Sequence, residues 1–587
     1  RQPFPPVGDL PYLLTLPGYG FYWFLLAEEA ALPRWHEPIP EPLPDFVTLV
    51  MRGGMESVTS EANRRLLEVD VLPQYLAKQR WFGAKDARIT GTRVASWATL
   101  GDGREGCLLL RIEVDVVGAE DSPQSYLMPL TISWDEGAIG HGSPLLPYTI
   151  AQIRRGARVG ALYDAMTDER VPLAFIEAMG RGDEVAASDG AIRFGATSRF
   201  ADMSLQPGIE VGRVGVEQSN SSVLIGDQAM LKAYRKLTRG VHPELEIARF
   251  LTEEARFRNT PPLLGAAEHV AADGTRTALA VLTGFVRNQG DGWAYTLNYL
   301  DRVLDETLVV RPPEGQVEPL RLEDRYGDYL AEARTLGQRT AELHRALAID
   351  TDDEAFRPEP ITAADLRTWR GAVRRQAEGA FAAVQQALPR LDEANRAVAE
   401  ALLGRREACL RRIDELTDGP VGAAKTRHHG DYHLGQVLVV QRDFYIVDFE
   451  GEPRRSLAER RAKHSPLRDV AGMVRSFDYA AWAAVLGLSD TRPDAFDALL
   501  AHAFAWREAA TAAFLDAYRE TVAGCPSYPA DPAEAQRLID LFLLEKALYE
   551  IGYEAANRPG WLRIPIQGVA GLLGETITTE ETTRGAA

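Results

Sequence analysis

The chain has 587 residues, of which 45% are hydrophobic and 25% are charged. This length predicts several domains with cores of their own, and the composition excludes a disordered or fibrous protein. The 65 basic and 84 acidic residues give a net charge of −19, which argues against binding of nucleic acid or of an anionic membrane through a basic surface.

Cysteine usage and apolar runs narrow the class of protein further. Cys107, Cys409 and Cys525 are widely spaced, so neither a disulfide framework nor a CxxC zinc site is expected. Unpaired thiols predict a reducing, cytoplasmic location. The apolar run 20–27 is too short to span a bilayer, and no signal peptide is expected at the start of the sequence.

The first 54 residues are predicted to end one domain and to tether the next. Residues 17–20, with the sequence Pro-Gly-Tyr-Gly, are a turn signal between two apolar segments. Two strands are too few for a stable domain, so residues 1–30 are expected to be the remnant of a preceding β-domain. Five prolines from Pro33 to Pro44 predict a stiff, extended linker over residues 31–54.

Residues 55–200 are predicted to form an α+β domain. Runs of β-branched and aliphatic residues between turn signals predict strands over residues 88–97, 107–117, 125–133 and 190–198. Apolar spacing predicts helices over residues 61–68, 149–155, 161–166 and 172–179.

A second set of strands is predicted within residues 201–288, and helices dominate residues 289–587. The strands cover residues 208–216, 222–225, 229–234 and 279–286, and a helix covers residues 243–256. The later helices cover residues 323–347, 363–386, 391–416, 466–486, 495–523 and 532–556. A β-rich island, residues 429–450, interrupts these helices.

The island carries three side chains that are candidates for catalysis or metal binding. Asp431 follows His-Gly in a loop, Gln436 lies immediately before the apolar strand 437–440, and Asp448 lies at the end of the returning strand 444–447. A hairpin of these strands brings Gln436 and Asp448 together at its open end, with Asp431 on the adjoining loop. Oxygen ligands of this kind suit Mg²⁺ when substrate phosphates and waters complete its coordination.

The pattern His-Gly-Asp-x-x-x-x-Gln resembles that of protein-kinase-like phosphotransferases, and in particular the aminoglycoside-phosphotransferase-like kinases. The resemblance implies ATP as phosphate donor, Asp431 as the group that accepts the hydroxyl proton, and Gln436 and Asp448 as Mg²⁺ ligands. These kinases usually have Asn where this chain has Gln436. Because Gln offers the same carbonyl oxygen on a longer stem, the metal role is expected to survive.

Strand 229–234 presents Lys232, which is similar to the kinase lysine that pairs with nucleotide phosphates. Glu246 is expected to be the ion-pair partner of Lys232, and Glu244 is the competing candidate. Strand 279–285 is expected to be the hinge whose backbone receives the adenine.

The loop before the Lys232 hairpin has no GxGxxG pattern. Its small polar residues Ser219, Asn220 and Ser221 are expected to take the place of glycines, so that backbone amides reach the nucleotide phosphates.

Several segments together resemble the bacterial maltokinases: residues 79–85, the Lys232 strand, the catalytic island, residues 448–453 and residues 557–559. The resemblance covers about residues 55–575 of the chain. It implies an α+β, bilobal, protein-kinase-like fold with an N-terminal cap subdomain at 55–200, a nucleotide-binding lobe at 201–288 and a mainly helical lobe at 289–587. It also implies ATP-dependent phosphorylation of maltose to maltose 1-phosphate, which links trehalose and maltose metabolism to glucan synthesis.

Residues 4–26 separately resemble the C-terminal β-domain end of trehalose synthase, which interconverts trehalose and maltose. The resemblance implies that residues 1–30 are the edge of a synthase fused to the kinase, and that trehalose synthase, fused or associated, is a partner. The catalytic barrel of the synthase is absent from the sequence, so isomerase activity is not expected.

The helix predicted over residues 532–556 has two distinct faces. Leu541, Leu544, Leu548 and Ile551 form an aliphatic face, and a different face carries Lys546, Tyr549 and Tyr553. Aromatic rings beside a cationic donor suit a disaccharide, and the maltokinase resemblance supports this second face as the maltose-binding wall.

Four further residues are candidates for contacts with the sugar. Glu450, Glu452 and Arg454 follow Asp448 and are expected to bind sugar hydroxyls or to order the loop. His433 is expected to orient the catalytic loop in the same site.

Two alternatives stay open on the sequence. The first is a kinase of another small sugar or amino sugar, such as glucosamine or an aminoglycoside, because the acidic groups Glu450 and Glu452 do not exclude an amine. The second is a non-catalytic, kinase-like scaffold for trehalose synthase, although all the groups that phosphate transfer requires are present.

Overall fold

The computed structural model describes residues 44–84, 87–101, 106–118, 123–213, 220–309, 322–489 and 493–574. The predicted remnant at 1–30 and most of the linker therefore lie outside the described residues. Within the described ranges, no helix combines the length and the hydropathy that crossing a membrane requires.

One large sheet dominates the first half of the described chain. Its strands are β1 Thr48–Val50, β2 Ile89–Leu100, β3 Cys107–Val116, β4 Gln124–Ser133, β5 Thr149–Arg155, β6 Arg158–Asp164, β7 Glu184–Ala187, β8 Gly190–Ala196, β9 Val211–Arg213, β10 Asn220–Ile225, β11 Ala229–Tyr234, β12 Lys236–Leu237, β13 Leu263–Ala271 and β14 Arg276–Gly284. The order across the sheet is β1-β5-β6-β4-β3-β2-β7-β8-β13-β14-β11-β10-β9, and β12 pairs with β4. The pair β1–β5 is parallel and the other pairs are antiparallel.

Helices cover the sheet and build the second half of the chain. They are α1 Glu61–Leu66, α2 Leu72–Leu76, α3 Arg170–Arg181, α4 Pro243–Glu253, α5 Gly292–Val309, α6 Leu322–Ala346, α7 Ala363–Ala387, α8 Glu393–Leu403, α9 Arg406–Leu416, α10 Leu457–Arg461, α11 Leu467–Ser489, α12 Phe496–Val522, α13 Pro532–Asn557 and α14 Arg563–Leu572. A π-helical turn, Leu67–Val71, joins α1 to α2. Two short strand pairs lie among the later helices: β15 Glu359–Pro360 with β16 Ala424–Lys425, and β17 Val437–Val440 with β18 Asp443–Ile446.

Two predicted helices were wrong. Residues 149–155 and most of 161–166 are the antiparallel strands β5 and β6, joined by a turn at Gly156 with φ 62°. Short apolar runs carry no unambiguous period, and pairing with neighbouring strands decided their conformation. The single helix predicted over 391–416 is interrupted at Gly404 and Arg405, between α8 and α9.

The boundary predicted between residues 200 and 201 falls inside this continuous sheet. Strand β8 precedes the boundary and pairs along its length with β13, which follows it. A shared apolar core also joins Leu109 of β3 and Phe175 of α3 to Leu231 of β11. The cap and the nucleotide-binding lobe therefore share one sheet and this core, and the cap has a second core of its own.

The hairpin β17–β18 is the element that positions the candidate site. The backbone N–H of Ile446 donates to the Asn259 carbonyl at 2.8 Å, and Asn259 Nδ2 donates to the Phe444 carbonyl at 3.0 Å. Val439 and Phe444 belong to the helical core. The hairpin is thus held both by the segment after α4 and by the helical lobe, at the junction between the sheet and the helices.

Candidate active site

Asp469, in the first turn of α11, fixes the loop that carries Asp431. The backbone N–H groups of His429 and Gly430 donate to its two carboxylate oxygens at 2.7 and 2.9 Å. His344 contacts the same carboxylate at 3.2 Å. Burial raises the pKa of Asp469, but the neighbouring histidines lower it by more. The pKa of Asp469 is therefore below its ordinary value. The ionised carboxylate therefore anchors the loop immediately before Asp431.

His429 ties the same loop to the end of the hairpin. Its Nε2 lies 2.9 Å from the Val447 carbonyl, and its ring lies against Phe449. Gly430 has φ 86°, a left-handed conformation that favours glycine. The loop and the end of β18 are consequently one connected unit.

Asp431 faces helix α13 across the mouth of a cavity. Its Oδ1 lies 3.7 Å from Lys546 Nζ, and both side chains are partly exposed. Both residues line a small cavity of about 40 Å³ that is partly open to solvent.

Gln436 and Asp448 meet at the open end of the hairpin, as the sequence predicts. Gln436 Nε2 donates to Asp448 Oδ2 at 3.1 Å. Asp448 has φ 67°, which turns the chain sharply after β18 and directs its carboxylate towards Lys232. The side chain of His433 accepts a hydrogen bond from the Gly435 N–H at 3.0 Å and so caps the short turn that presents Gln436.

Lys232 lies among three carboxylates. Its Nζ is 2.9 Å from Glu244 Oε2, 2.7 Å from Glu450 Oε1 and 3.5 Å from Asp448 Oδ1. The predicted ion pair between Lys232 and Glu246 was wrong, and the competing candidate Glu244 is the partner. Glu244 and Glu246 both lie in the first turn of α4, and the side chain of Glu244 is the one that points towards Lys232.

Glu246 instead joins α4 to the helical lobe. It contacts Arg427 at 2.6 Å and Arg461 at 2.7 Å, and Arg427 is almost fully buried. These two arginines hold the pKa of Glu246 below its ordinary value, although burial opposes them. Glu246 therefore stabilises the contact between the lobes and does not touch the lysine.

A stability measurement separates the two glutamates. Glu246→Gln should lower the free energy of unfolding by about 3 kcal/mol, because it leaves a buried arginine without its partner charge. Glu244→Gln should lower it much less, since Lys232 keeps the carboxylates of Glu450 and Asp448. Urea unfolding of the two variants checks this order, and an equal loss in both would contradict it.

The carboxylates around Lys232 fit a magnesium ion. Oxygen atoms of Glu244, Asp448 and Glu450 lie within 4.8 Å of one another. Burial raises the pKa of Glu244 to about 7, and the charges of the other two carboxylates act in the same direction. A crowded set of oxygen donors with excess negative charge is the chemistry that a hard divalent cation prefers.

The predicted phosphate loop is only partly described. Ser219 lies outside the described residues, and Asn220 begins β10. Ser221 is buried, and its Oγ accepts from Arg235 Nε at 2.8 Å. Ser222 stands opposite Lys232 in the ladder and therefore shares its face of the sheet, whereas Ser221 stands opposite Ala233 on the other face.

Helix α13 presents the two faces that the sequence predicts. Leu541, Leu544, Leu548 and Ile551 are fully buried. Lys546 and Tyr549 line the cavity, and Tyr549 lies near Glu452, which lines it as well.

Tyr553 lies one turn further on and contacts Arg454, whose guanidinium carbon is 5.2 Å from the ring centroid. In the described structure neither of these two residues lines the cavity. Glu450 is also placed with Lys232 instead of in the cavity, so the sugar contacts of Glu450, Arg454 and Tyr553 stay predictions.

Several cavity residues were missed by the sequence reasoning. They are Gln376, Arg455, Arg468, Asp469 and Glu545. Gln376 comes from α7 and Arg468 from α11, far from the catalytic island in sequence. Glu545 is adjacent to Lys546, so the helical period of α13 could have suggested it. A larger groove between α11, α12 and α14 contains none of the candidate site residues.

Comparison with protein families gives one match to a domain model. Residues 75–168 match the maltokinase N-terminal cap domain. A glucosamine kinase from Mycolicibacterium smegmatis (strain ATCC 700084 / mc(2)155) is 30% identical over 371 residues, which are 62% of this chain and 80% of that protein.

Two further comparisons concern the fold and the N-terminus. A solved structure, a glucosamine kinase in complex with glucosamine, ADP and inorganic phosphate, aligns with a TM-score of 0.58 at 21% identity over 87% of this chain and 99% of that chain. The likeness confirms the predicted bilobal, kinase-like α+β fold. The trehalose synthase/amylase TreS of the same Mycolicibacterium strain is 59% identical over 39 residues, 7% of this chain and 5% of that protein, and confirms the resemblance of the N-terminal segment.

Proposed function

We propose, from the premise that this chain belongs to the maltokinase- and glucosamine-kinase-like family of sugar phosphotransferases, that it transfers the γ-phosphoryl group of ATP to maltose. The product is maltose 1-phosphate, formed at the anomeric hydroxyl. Two observations support the proposal: Asp431 lines the cavity, and Lys232, Gln436 and Asp448 meet at the open end of the hairpin that follows the Asp431 loop.

Asp431 acts on the acceptor hydroxyl. It orients the hydroxyl towards the γ-phosphorus and accepts its proton as the new P–O bond forms and the bond to the β-phosphate oxygen breaks. Asp469 and His429 hold the loop, so Asp431 is positioned before the substrate binds. Lys546 lies 3.7 Å from Asp431 and places a positive charge beside it.

The Lys232 cluster acts on the nucleotide. Lys232 positions the phosphates, and Asp448 would hold Mg²⁺. Gln436 donates a hydrogen bond to the same carboxylate. When bound, that ion neutralises negative charge on the phosphates. Glu244 holds the lysine from the helix side at 2.9 Å, so the ammonium group stays in the cleft.

The acceptor cavity supports a sugar substrate. It combines the aromatic ring of Tyr549, the ammonium group of Lys546 and the amide of Gln376 with charged groups that bind hydroxyls. Lys546 Nζ lies 5.2 Å from the centroid of the Tyr549 ring. Apolar sugar faces pack on such rings, and hydroxyls bind the surrounding donors and acceptors.

Tyr549 tests the acceptor assignment. Tyr549→Ala should raise KM for maltose by an amount that corresponds to about 1–3 kcal/mol, because it removes an aromatic ring and a hydroxyl group from the wall of the cavity. KM for ATP should stay at the parent value. Steady-state kinetics with each substrate varied in turn measure both constants.

Tyr549→Phe is the matched control, because it keeps the ring and removes only the hydroxyl group near Glu452. The melting temperature of both variants should stay near that of the parent, since the buried leucine face of α13 is untouched. A large fall in melting temperature with an unchanged KM for maltose would assign Tyr549 to packing.

Glucosamine is the second candidate acceptor, because a protein named as a glucosamine kinase is 30% identical to this chain. Measurement of ADP release with maltose, glucose, glucosamine, trehalose and kanamycin decides between the candidates. Turnover highest with maltose supports the proposal, and turnover highest with glucosamine replaces it. Binding of ATP with no turnover on any sugar would instead favour the non-catalytic scaffold.

Trehalose synthase is the partner that we propose, because the N-terminal match is to that enzyme. Trehalose synthase would supply the maltose that the kinase consumes. A cytoplasmic location stays a prediction.

A further inference from the structure

The charged groups of the acceptor cavity occur in matched pairs. Arg455 Nε donates to Glu452 Oε2 at 3.0 Å, and Arg468 Nη2 donates to Glu545 Oε1 at 2.6 Å. All four side chains line the cavity, and each is less than one-third exposed.

Arg455 is the residue that joins the two pairs. Its Nη2 lies 3.4 Å from Glu545 Oε1, so its single guanidinium group contacts both glutamates. Burial opposes the ionisation of Glu452, but hydrogen bonds from Tyr549 and Arg455 outweigh it and lower the pKa of Glu452. Glu452 is therefore anionic, and each of the two glutamates is paired with an arginine.

The other two acidic residues that line the cavity, Asp431 and Asp469, also have partners. Asp469 accepts the loop N–H groups, and Asp431 faces Lys546. A sugar hydroxyl can donate to or accept from such pairs without a change of charge. An ammonium group needs a carboxylate that has no cation of its own, and it meets repulsion from the arginines and from Lys546.

We propose that Arg455 is a specificity determinant, which makes the cavity select sugars that carry only hydroxyl groups against sugars that carry an ammonium group. The inference rests on the proposed sugar-kinase function and assigns a residue to its substrate choice. Without the Arg455 charge, Glu452 loses its paired arginine while Glu545 keeps Arg468, and the cavity gains attraction for an amine.

Arg455→Gln tests the role, since it keeps a polar side chain and removes the charge. Glucose and glucosamine are the probes, because they differ only in a hydroxyl group against an amino group. The dissociation constants of the full chain with MgADP are measured for both sugars by equilibrium dialysis, at a pH below the pKa of the sugar amine. The ratio of the glucosamine to the glucose constant should fall by about tenfold, which is ~1.4 kcal/mol.

Two control variants make the result specific. Arg455→Lys keeps the charge and should keep the parent ratio. Arg412→Gln should also keep it, because Arg412 is similarly exposed and pairs with Asp540 of α13 at 3.2 Å, but lies outside the cavity.

An unchanged ratio in a folded Arg455→Gln protein, or an equal fall in either control, overturns the role of Arg455. Circular dichroism and the melting temperature establish that each variant is folded. Because the experiment measures dissociation constants, its result does not depend on whether the protein transfers phosphate. A parent that phosphorylates no sugar refutes the proposed function, whereas a parent that phosphorylates maltose with no shift in the ratio refutes the inference alone.

Discussion

Asp431→Asn should lower kcat at least about 100-fold, the lower end of the effect of a positioned general base. The amide keeps the shape of the side chain but cannot accept the proton of the acceptor hydroxyl. Nucleotide affinity should stay near that of the parent, because the phosphates are held by Lys232 and by the groups around Asp448. Steady-state kinetics and calorimetric titration with ADP measure the two quantities.

Asp443→Asn is the matched control for Asp431→Asn. Asp443 lies at the opposite end of the same hairpin, where it pairs with Arg339 at 2.7 Å. The control should retain the parent kcat. An Asp431→Asn protein with normal turnover would remove Asp431 from the chemistry, whatever the control does.

Asp448→Ala should abolish the binding of nucleotide that depends on Mg²⁺. Asp448 belongs to the carboxylate cluster, and its removal takes away the ligand closest to Gln436. The residue has φ 67°, and alanine is strained there, by roughly 1–2 kcal/mol. Asp448→Asn is therefore the cleaner variant, because asparagine tolerates this backbone conformation and also lacks the charge.

Titration of each Asp448 variant with ADP, with and without Mg²⁺, measures the effect. In the parent Mg²⁺ should tighten binding, and in both variants it should not. Gln436→Asn should retain partial activity, since it keeps a carbonyl oxygen. Asp227→Ala, on an exposed turn, is the control and should bind like the parent. Parent-like binding of MgADP by both Asp448 variants would show that Asp448 is not the metal ligand.

The local pattern of the catalytic island was sufficient to predict its hairpin, although the returning strand begins and ends one residue earlier than the predicted 444–447. Strand β17 has the predicted bounds, and Gln436 and Asp448 meet at the open end of the hairpin. A two-stranded hairpin with a short turn fixes which residues face each other, so neighbours in sequence become neighbours in space. For the same reason the strand of Lys232 was predicted with its observed bounds.

The sequence could not predict which glutamate pairs with Lys232. Glu244 and Glu246 lie two positions apart on α4, and both are acidic residues of its first turn. Which of them points to the strand depends on the angle at which α4 packs on the sheet. That angle is set by contacts such as Leu245 and Leu251, each buried in a different core.

The sequence by itself determined the local placement of the candidate catalytic groups, because the loop of Asp431, the hairpin of Gln436 and Asp448 and the strand of Lys232 are each specified by residues close together in the chain. The tertiary structure alone decided the acceptor cavity. Arg455 and Arg468 meet Glu545 across more than 70 positions of sequence, and Gln376 joins them from another helix. Such contacts depend on how the helices pack, and a helical period shows only which face of a helix is apolar and not what that face meets.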